Sequence, residues 1–158
     1  MKEVYSRLFI GGDSDYEKVK DKSDWRVLRA AKDGPGGHRE QLGYETMGAP
    51  KGPNYLSVEK PRLLALNIVD HDSPDYFPAS MVDKGLAYIT HSLGLGHKVL
   101  VCCNHGKSRS PSLVLLWLVL NGKLPFEGAF RRFKQLYPDY DPSPGIKGYI
   151  RQRLAARR

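Results

Sequence analysis

VCCNHGKSRS, residues 101–110, decides how this chain is read. Ahead of it stands KVLVC, Lys98–Cys102, a short apolar run that predicts a strand. Behind it Ser110-Pro111 offers an N-cap followed by a proline at the first helical position, opening SLVLLWLVLN. That helix is apolar all round, so it is expected at the centre of the molecule. A strand, a short loop and a buried helix are therefore predicted in succession.

Three kinds of chemistry compete for the loop. A nucleotide-binding loop would read G-x-x-x-x-G-K-[ST]. Gly106-Lys107-Ser108 supplies its second half, but its opening glycine falls on Val101, which cannot make the tight turn. A zinc site from Cys102, Cys103, His105 and His97 fits composition only, because side chains adjacent on a strand point to opposite faces. The third reading uses every residue type. Backbone N–H groups of such a loop, with the positive end of the following helix, form an anion cradle. The same field favours thiolate over thiol, and an arginine adds a planar fork for two oxygens of a phosphate.

The pattern C-x-x-x-x-x-R-S from Cys103 to Ser110 resembles the loop of the cysteine-dependent protein tyrosine phosphatase superfamily, specifically its dual-specificity branch. Cys103, Gly106, Arg109 and Ser110 carry the match. SRLFIGG, WRVLRAA and LALNIVDHD are similar to that family's opening strands and to the strand before its general-acid loop. The resemblance implies that Cys103 attacks phosphorus, Arg109 clamps the phosphoryl oxygens and Ser110 hydrogen-bonds the sulfur. Asn104, His105, Gly106, Lys107 and Ser108 would offer backbone N–H groups to the phosphate. No cofactor and no metal are implied.

A general acid is also needed, because an alkoxide leaves poorly unless it is protonated. The family places an aspartate about thirty residues before the cysteine. Asp72 stands 31 residues ahead of Cys103 and takes first place on that alignment. Asp70, at the immediate end of NIVD, is the rival, and Asp75 is third. The chain departs from the family at Cys102, where a histidine is usual. Cys102 is expected to be a neutral core residue.

Outward from the loop, VYSRLFI (Val4–Ile10), WRVLRA (Trp25–Ala30) and RLLALNIV (Arg62–Val69) read as strands, and Pro78–Leu93 as an amphipathic helix. Helices over about Pro125–Tyr137 and Pro144–Ala156 follow Asn121. This succession predicts an α/β domain with a central, mostly parallel sheet flanked by helices, as in the protein tyrosine phosphatase-like fold. Residues 1–158 are expected to form a single catalytic domain. Residues 33–54, dense in Gly and Pro, read as a long loop whose His38, Arg39 and Lys51 either line the site or are solvated.

The formal net charge of +8 favours anionic partners. Lys147, Arg151, Arg153, Arg157 and Arg158 form an acid-free basic tail, though no aromatic-interleaved motif for RNA accompanies it. No segment has the length to span a bilayer, and the absence of a secretory leader predicts a cytoplasmic protein. Adjacent cysteines rarely bridge, in keeping with a reducing compartment. The expected substrates are phosphotyrosine and phosphoserine/threonine in proteins. An RNA or nucleotide 5′-phosphatase and a non-catalytic phosphate-binding module are the alternatives.

Overall fold

The computed structural model describes residues 1–157; Arg158 of the basic tail lies outside the described residues. Six strands form one sheet: β1 (Lys2–Tyr5), β2 (Leu8–Gly11), β3 (Trp25–Arg29), β4 (Ser57–Lys60), β5 (Leu63–Leu66) and β6 (Lys98–Cys102). Their order across the sheet is β1-β2-β6-β3-β5-β4. The β2–β6, β6–β3 and β3–β5 pairs are parallel, and the antiparallel β1 and β4 close the two edges. The expected mostly parallel α/β architecture is present.

The helices are α1 (Asp13–Val19), α2 (His38–Leu42), α3 (Ala79–Gly94), α4 (Arg109–Leu120), α5 (Ala129–Leu136) and α6 (Pro144–Ala156). They cover both faces of the sheet, and strand alternation sorts the apolar residues between them. On β6, Val99 and Val101 join the large core under α3 to α6, while Leu100 and Cys102 join the smaller cluster with Tyr16, Val19 and Trp25. The first face holds most of the apolar core. α4 runs through it, with Ser110–Val119 buried on every side.

Several expectations need correction. The first strand is two, a hairpin turning at Ser6-Arg7. Arg7 takes a left-handed φ of 64°, and its guanidinium donates to the Leu93 carbonyl at 3.0 Å, which ties the turn to the end of α3. The edge strand β4 escaped notice because SVEK is short and half polar. Residues 33–54 are not all loop. One helical turn, α2, is nested there and stops at Gly43, whose φ of 76° needs a glycine. α5 starts later than Pro125, after Gly128 has taken a left-handed φ of 65°. α4 starts earlier than predicted: Ser108 is its N-cap, so Arg109 is the first helical residue and Pro111 falls inside the first turn. Proline is accepted there because N–H groups of the first turn have no helical partner anyway.

Candidate active site

β6 is one of the two central strands, with parallel partners on both sides, so its end delivers the loop 103–108 to a fixed point at the carboxyl edge of the sheet. Strand alternation sends Cys102 toward the α1 face. Cys103, the first residue off the strand, turns its sulfur the other way, to 3.1 Å from Ser110 Oγ at the start of α4.

The loop is held from outside by its carbonyls. Arg29 donates to the Cys103 carbonyl at 3.0 Å, and the Asp13 N–H to that of Asn104 at 3.1 Å. The Tyr137 hydroxyl donates to the Gly106 carbonyl at 2.7 Å, and the Asp141 N–H to that of Lys107 at 2.8 Å. In a trans peptide the C=O and the following N–H point in opposite directions. No cis peptide occurs among the described residues, so these outward carbonyls turn the N–H groups of Asn104, His105, Lys107 and Ser108 into the loop. Gly106 sits at φ 71°, and a Cβ there would stand 2.9 Å from the Gly11 carbonyl oxygen. Glycine is required at that turn. Gly12 is needed for the same packing, since a Cβ on it would meet the Asn104 carbonyl at 2.9 Å.

Cys103 is almost wholly buried, and burial alone would push its thiol up. The Ser110 hydroxyl and N–H, the Arg109 charge and the Gly106 N–H outweigh that, and the pKa is held below the ordinary value of 9.0. Cys102, fully buried, is pushed up to about 12 by desolvation, despite the charge of Arg29 beside it. It is a neutral residue of the smaller core.

Arg109 crosses the loop mouth. Its guanidinium donates to the Asn104 side-chain oxygen at 2.6 Å and to the Ile68 carbonyl at 3.2 Å. Its Nε is buried without a protein acceptor.

The hollow beside Cys103 has a volume of about 170 Å³ and is lined by Asp70, His105, Lys107, Ser108, Arg109, Asp141 and Ser143. Asp70 is placed there by Ser108, whose hydroxyl donates to its carboxylate at 3.2 Å. Asp72, favoured by counting along the sequence, is exposed as Asp70 is, but it is not part of this lining. The segment around it packs against α6, where a Cβ on Gly145 would overlap the His71 carbonyl oxygen. Asp75 belongs to a local turn, in which its N–H donates to Ser73 Oγ at 3.3 Å.

Residues from 33–54 stay out of the lining. His38 is fully buried, 2.9 Å from the Tyr44 hydroxyl and 2.7 Å from the Asn54 carbonyl. Arg39 pairs with Asp33 at 2.7 Å, and Lys51 lies 4.1 Å from the Tyr55 ring centre. Among the described residues no three His, Cys, Asp or Glu side chains are grouped to hold a metal ion.

Sequence reasoning missed Arg29, Tyr137 and Asp141. Arg29 is completely buried on β3, and besides the Cys103 carbonyl it reaches Cys102 Sγ at 3.6 Å and pairs with Asp13. A charged residue in the middle of the run WRVLRA was the one available signal for it.

Comparison with solved structures gives the same architecture. The human tyrosine phosphatase-like serine/threonine/tyrosine-interacting protein matches with a TM-score of 0.69 at 21% identity, covering 99% of this chain and 97% of that one. Human DUSP28 matches with a TM-score of 0.65 at 18% identity, covering 99% and 96%. The chain has the dual-specificity phosphatase fold. Its sequence resemblance points to the same branch: human dual specificity protein phosphatase 12 is 30% identical over 80 residues, 51% of this chain. That stretch spans 24% of the relative's own length. No protein-family model matches the chain. On this dual-specificity phosphatase scaffold, no helix among the described residues is long and apolar enough to cross a membrane.

Proposed function

We propose that the chain hydrolyses phosphate monoesters, phosphotyrosine and phosphoserine/threonine of proteins, through a phosphocysteine intermediate. One observation carries the reading. The sulfur of Cys103 lies 3.1 Å from Ser110 Oγ in a loop whose N–H groups turn inward, beside an arginine with a buried donor that lacks an acceptor. Buried donors without partners are costly, and phosphoryl oxygens would satisfy this one.

In the first step the Cys103 thiolate forms an S–P bond while the P–O bond to the substrate breaks. Asp70 gives its proton to the departing oxygen. Asp72 and Asp75 are set aside because neither lines the hollow. Negative charge shifts onto the equatorial oxygens, which Arg109 and the inward N–H groups hold. In the second step water attacks phosphorus and loses a proton to the Asp70 carboxylate. The S–P bond breaks, and the Ser110 hydroxyl stabilises the returning thiolate. Both cysteines are free, which leaves the Cys103 sulfur available as a nucleophile.

The test is hydrolysis in the presence of excess chelator, across phosphotyrosine peptide, phosphothreonine peptide, phosphoinositide and 5′-triphosphate RNA. Turnover of both peptides is the expected result. Turnover of the RNA alone would favour a 5′-phosphatase. Binding of phosphate without any turnover would leave a phosphate-binding module.

A further inference from the structure

A second hollow, of about 340 Å³, adjoins the Cys103 pocket, and Asp141 lines both. Its remaining walls are Phe130, Arg131, Lys134, Tyr140, Pro142 and Lys147. The sequence AFRRFKQL of α5 buries Phe133 in the core and leaves Phe130 half-buried, with Arg131 and Lys134 exposed beside it. α6 brings two more cations to the same ring. Lys147 Nζ lies 5.7 Å and Arg151 Cζ 5.6 Å from the centre of Phe130.

Like charges four residues apart on a helix repel. Here Lys147 and Arg151 are nevertheless gathered over one ring. Among the described residues, none of Arg131, Lys134, Lys147 and Arg151 pairs with a carboxylate. Arg153, on the same helix, is neutralised by Asp83 at 2.7 Å. Asp141 is the sole acid in this lining. The hollow is thus cation-rich, with Phe130 and Tyr140 in its lining, and it shares Asp141 with the pocket that holds Cys103.

We propose that it is a second anion subsite, which takes a further phosphate or carboxylate of the same peptide whose phosphoryl group lies at Cys103. This rests on the phosphatase reading above. A peptide is favoured over a membrane surface because none of the exposed large apolar side chains belongs to this lining. A bilayer contact of this size would use one. Because Asp141 lines both hollows, an occupant of the second lies beside the group held at Cys103.

The test compares a phosphotyrosine peptide with versions carrying a second phosphate or glutamate at successive positions on either side. Nitrophenyl phosphate, too small to reach the hollow, serves as the reference. At one of these positions kcat/KM should rise roughly tenfold, the worth of one charge-assisted contact, and the gain should fade with added salt. The double variant Lys147→Glu/Arg151→Glu should lose that gain while hydrolysing nitrophenyl phosphate within about twofold of the parent rate. A gain that persists in this variant, or no gain at any position, overturns the subsite and leaves the phosphatase reading intact. If nitrophenyl phosphate is not hydrolysed at all, the phosphatase reading fails instead. The subsite is then judged by fluorescence anisotropy of the doubly phosphorylated peptide, where equal binding by parent and variant overturns it. Charge-dependent binding to vesicles of anionic phospholipid, with no discrimination among the peptides, also overturns it.

Discussion

Cys102 and Cys103 share a peptide bond, yet the fold gives them opposite surroundings. Cys102 ends β6 facing the α1 side, fully buried among Tyr16, Val19, Trp25 and Leu100, and desolvation holds its proton to about 12. Cys103 faces the start of α4, where a hydroxyl, two N–H groups and the Arg109 charge draw its pKa down. Both side chains are buried, so burial alone does not separate them, although only Cys103 lines the hollow. The difference is made by how many dipoles converge on each sulfur. A thiol's chemistry is therefore set by which side of the sheet its strand position assigns it to.

The largest expected effect breaks this pair apart. Cys103→Ser should lower kcat/KM by on the order of 10⁴-fold or more, as loss of a covalent nucleophile does. Phosphate or vanadate binding should survive, because the cradle is backbone and Arg109. Cys102→Ser should keep most of the activity. The pH profile gives a second check. A lowered pKa means more thiolate at a given pH, so the acid limb of kcat/KM should rise below the ordinary thiol value of 9.0. Iodoacetamide should modify Cys103 over the same range and leave Cys102 untouched. Equal alkylation of both cysteines would break the comparison.

Arg109→Lys tests what draws charge to the Cys103 side. Lysine keeps the charge but loses the planar fork, and it cannot hold Asn104, Ile68 and a phosphoryl group together. Activity should fall roughly 10²–10³-fold, the range for losing a donor to a developing oxyanion. A near-normal rate would mean that Arg109 acts as a point charge.

Asp70→Asn comes next for substrates with poor leaving groups. Loss of a general acid costs about 10²–10⁴-fold on alkyl phosphates and much less on activated aryl phosphates. Asp72→Asn should change both by less than about threefold, because that carboxylate lies outside the hollow. If Asp72→Asn shows the leaving-group dependence instead, Ser108 is holding the wrong carboxylate for the reaction.

These assignments also mark where the sequence stops being informative. The strand KVLVC, the loop and the apolar helix were legible because each is local: alternation, a required glycine and a proline near a helix start act over a few residues. The choice between Asp70 and Asp72 was not local. Counting from Cys103 favours Asp72, whereas the proposal of Asp70 rests on Ser108 and Ser143 meeting across the loop, with Ser143 N–H donating to Ser108 Oγ at 2.9 Å. Tyr137 and Asp141 were illegible for the same reason. They hold the loop from just past the end of α5 and from the connection to α6, and their spacing from Cys103 follows no motif. The left-handed Arg7 hid the opening hairpin, since a bulky residue rarely marks a turn.

A smaller loss than at Cys103, Arg109 or Asp70 is expected at Arg29, which touches both cysteines' residues but from one side of the sheet. Its guanidinium holds the Cys103 carbonyl at 3.0 Å and stands 3.6 Å from Cys102 Sγ, while the Cys103 sulfur is oriented toward Ser110. Arg29 therefore positions the loop from behind. Arg29→Met keeps a stem of similar length in the core and removes those bonds, together with the pair to Asp13. The unpaired carbonyl should cost about 1–3 kcal/mol in stability, read as a lowered thermal midpoint. With the N–H groups slightly misdirected, kcat should fall by roughly tenfold, a loss of about 1.4 kcal/mol at the transition state. The acid limb of the pH profile should stay in place, because the dipoles that lower the Cys103 pKa come from Ser110, Arg109 and Gly106. A lowered kcat with an unmoved limb marks a positioning residue. A limb displaced upward by about a unit would mean that the charge of Arg29 reaches the thiolate through the sheet. The two cysteines would then share one electrostatic environment.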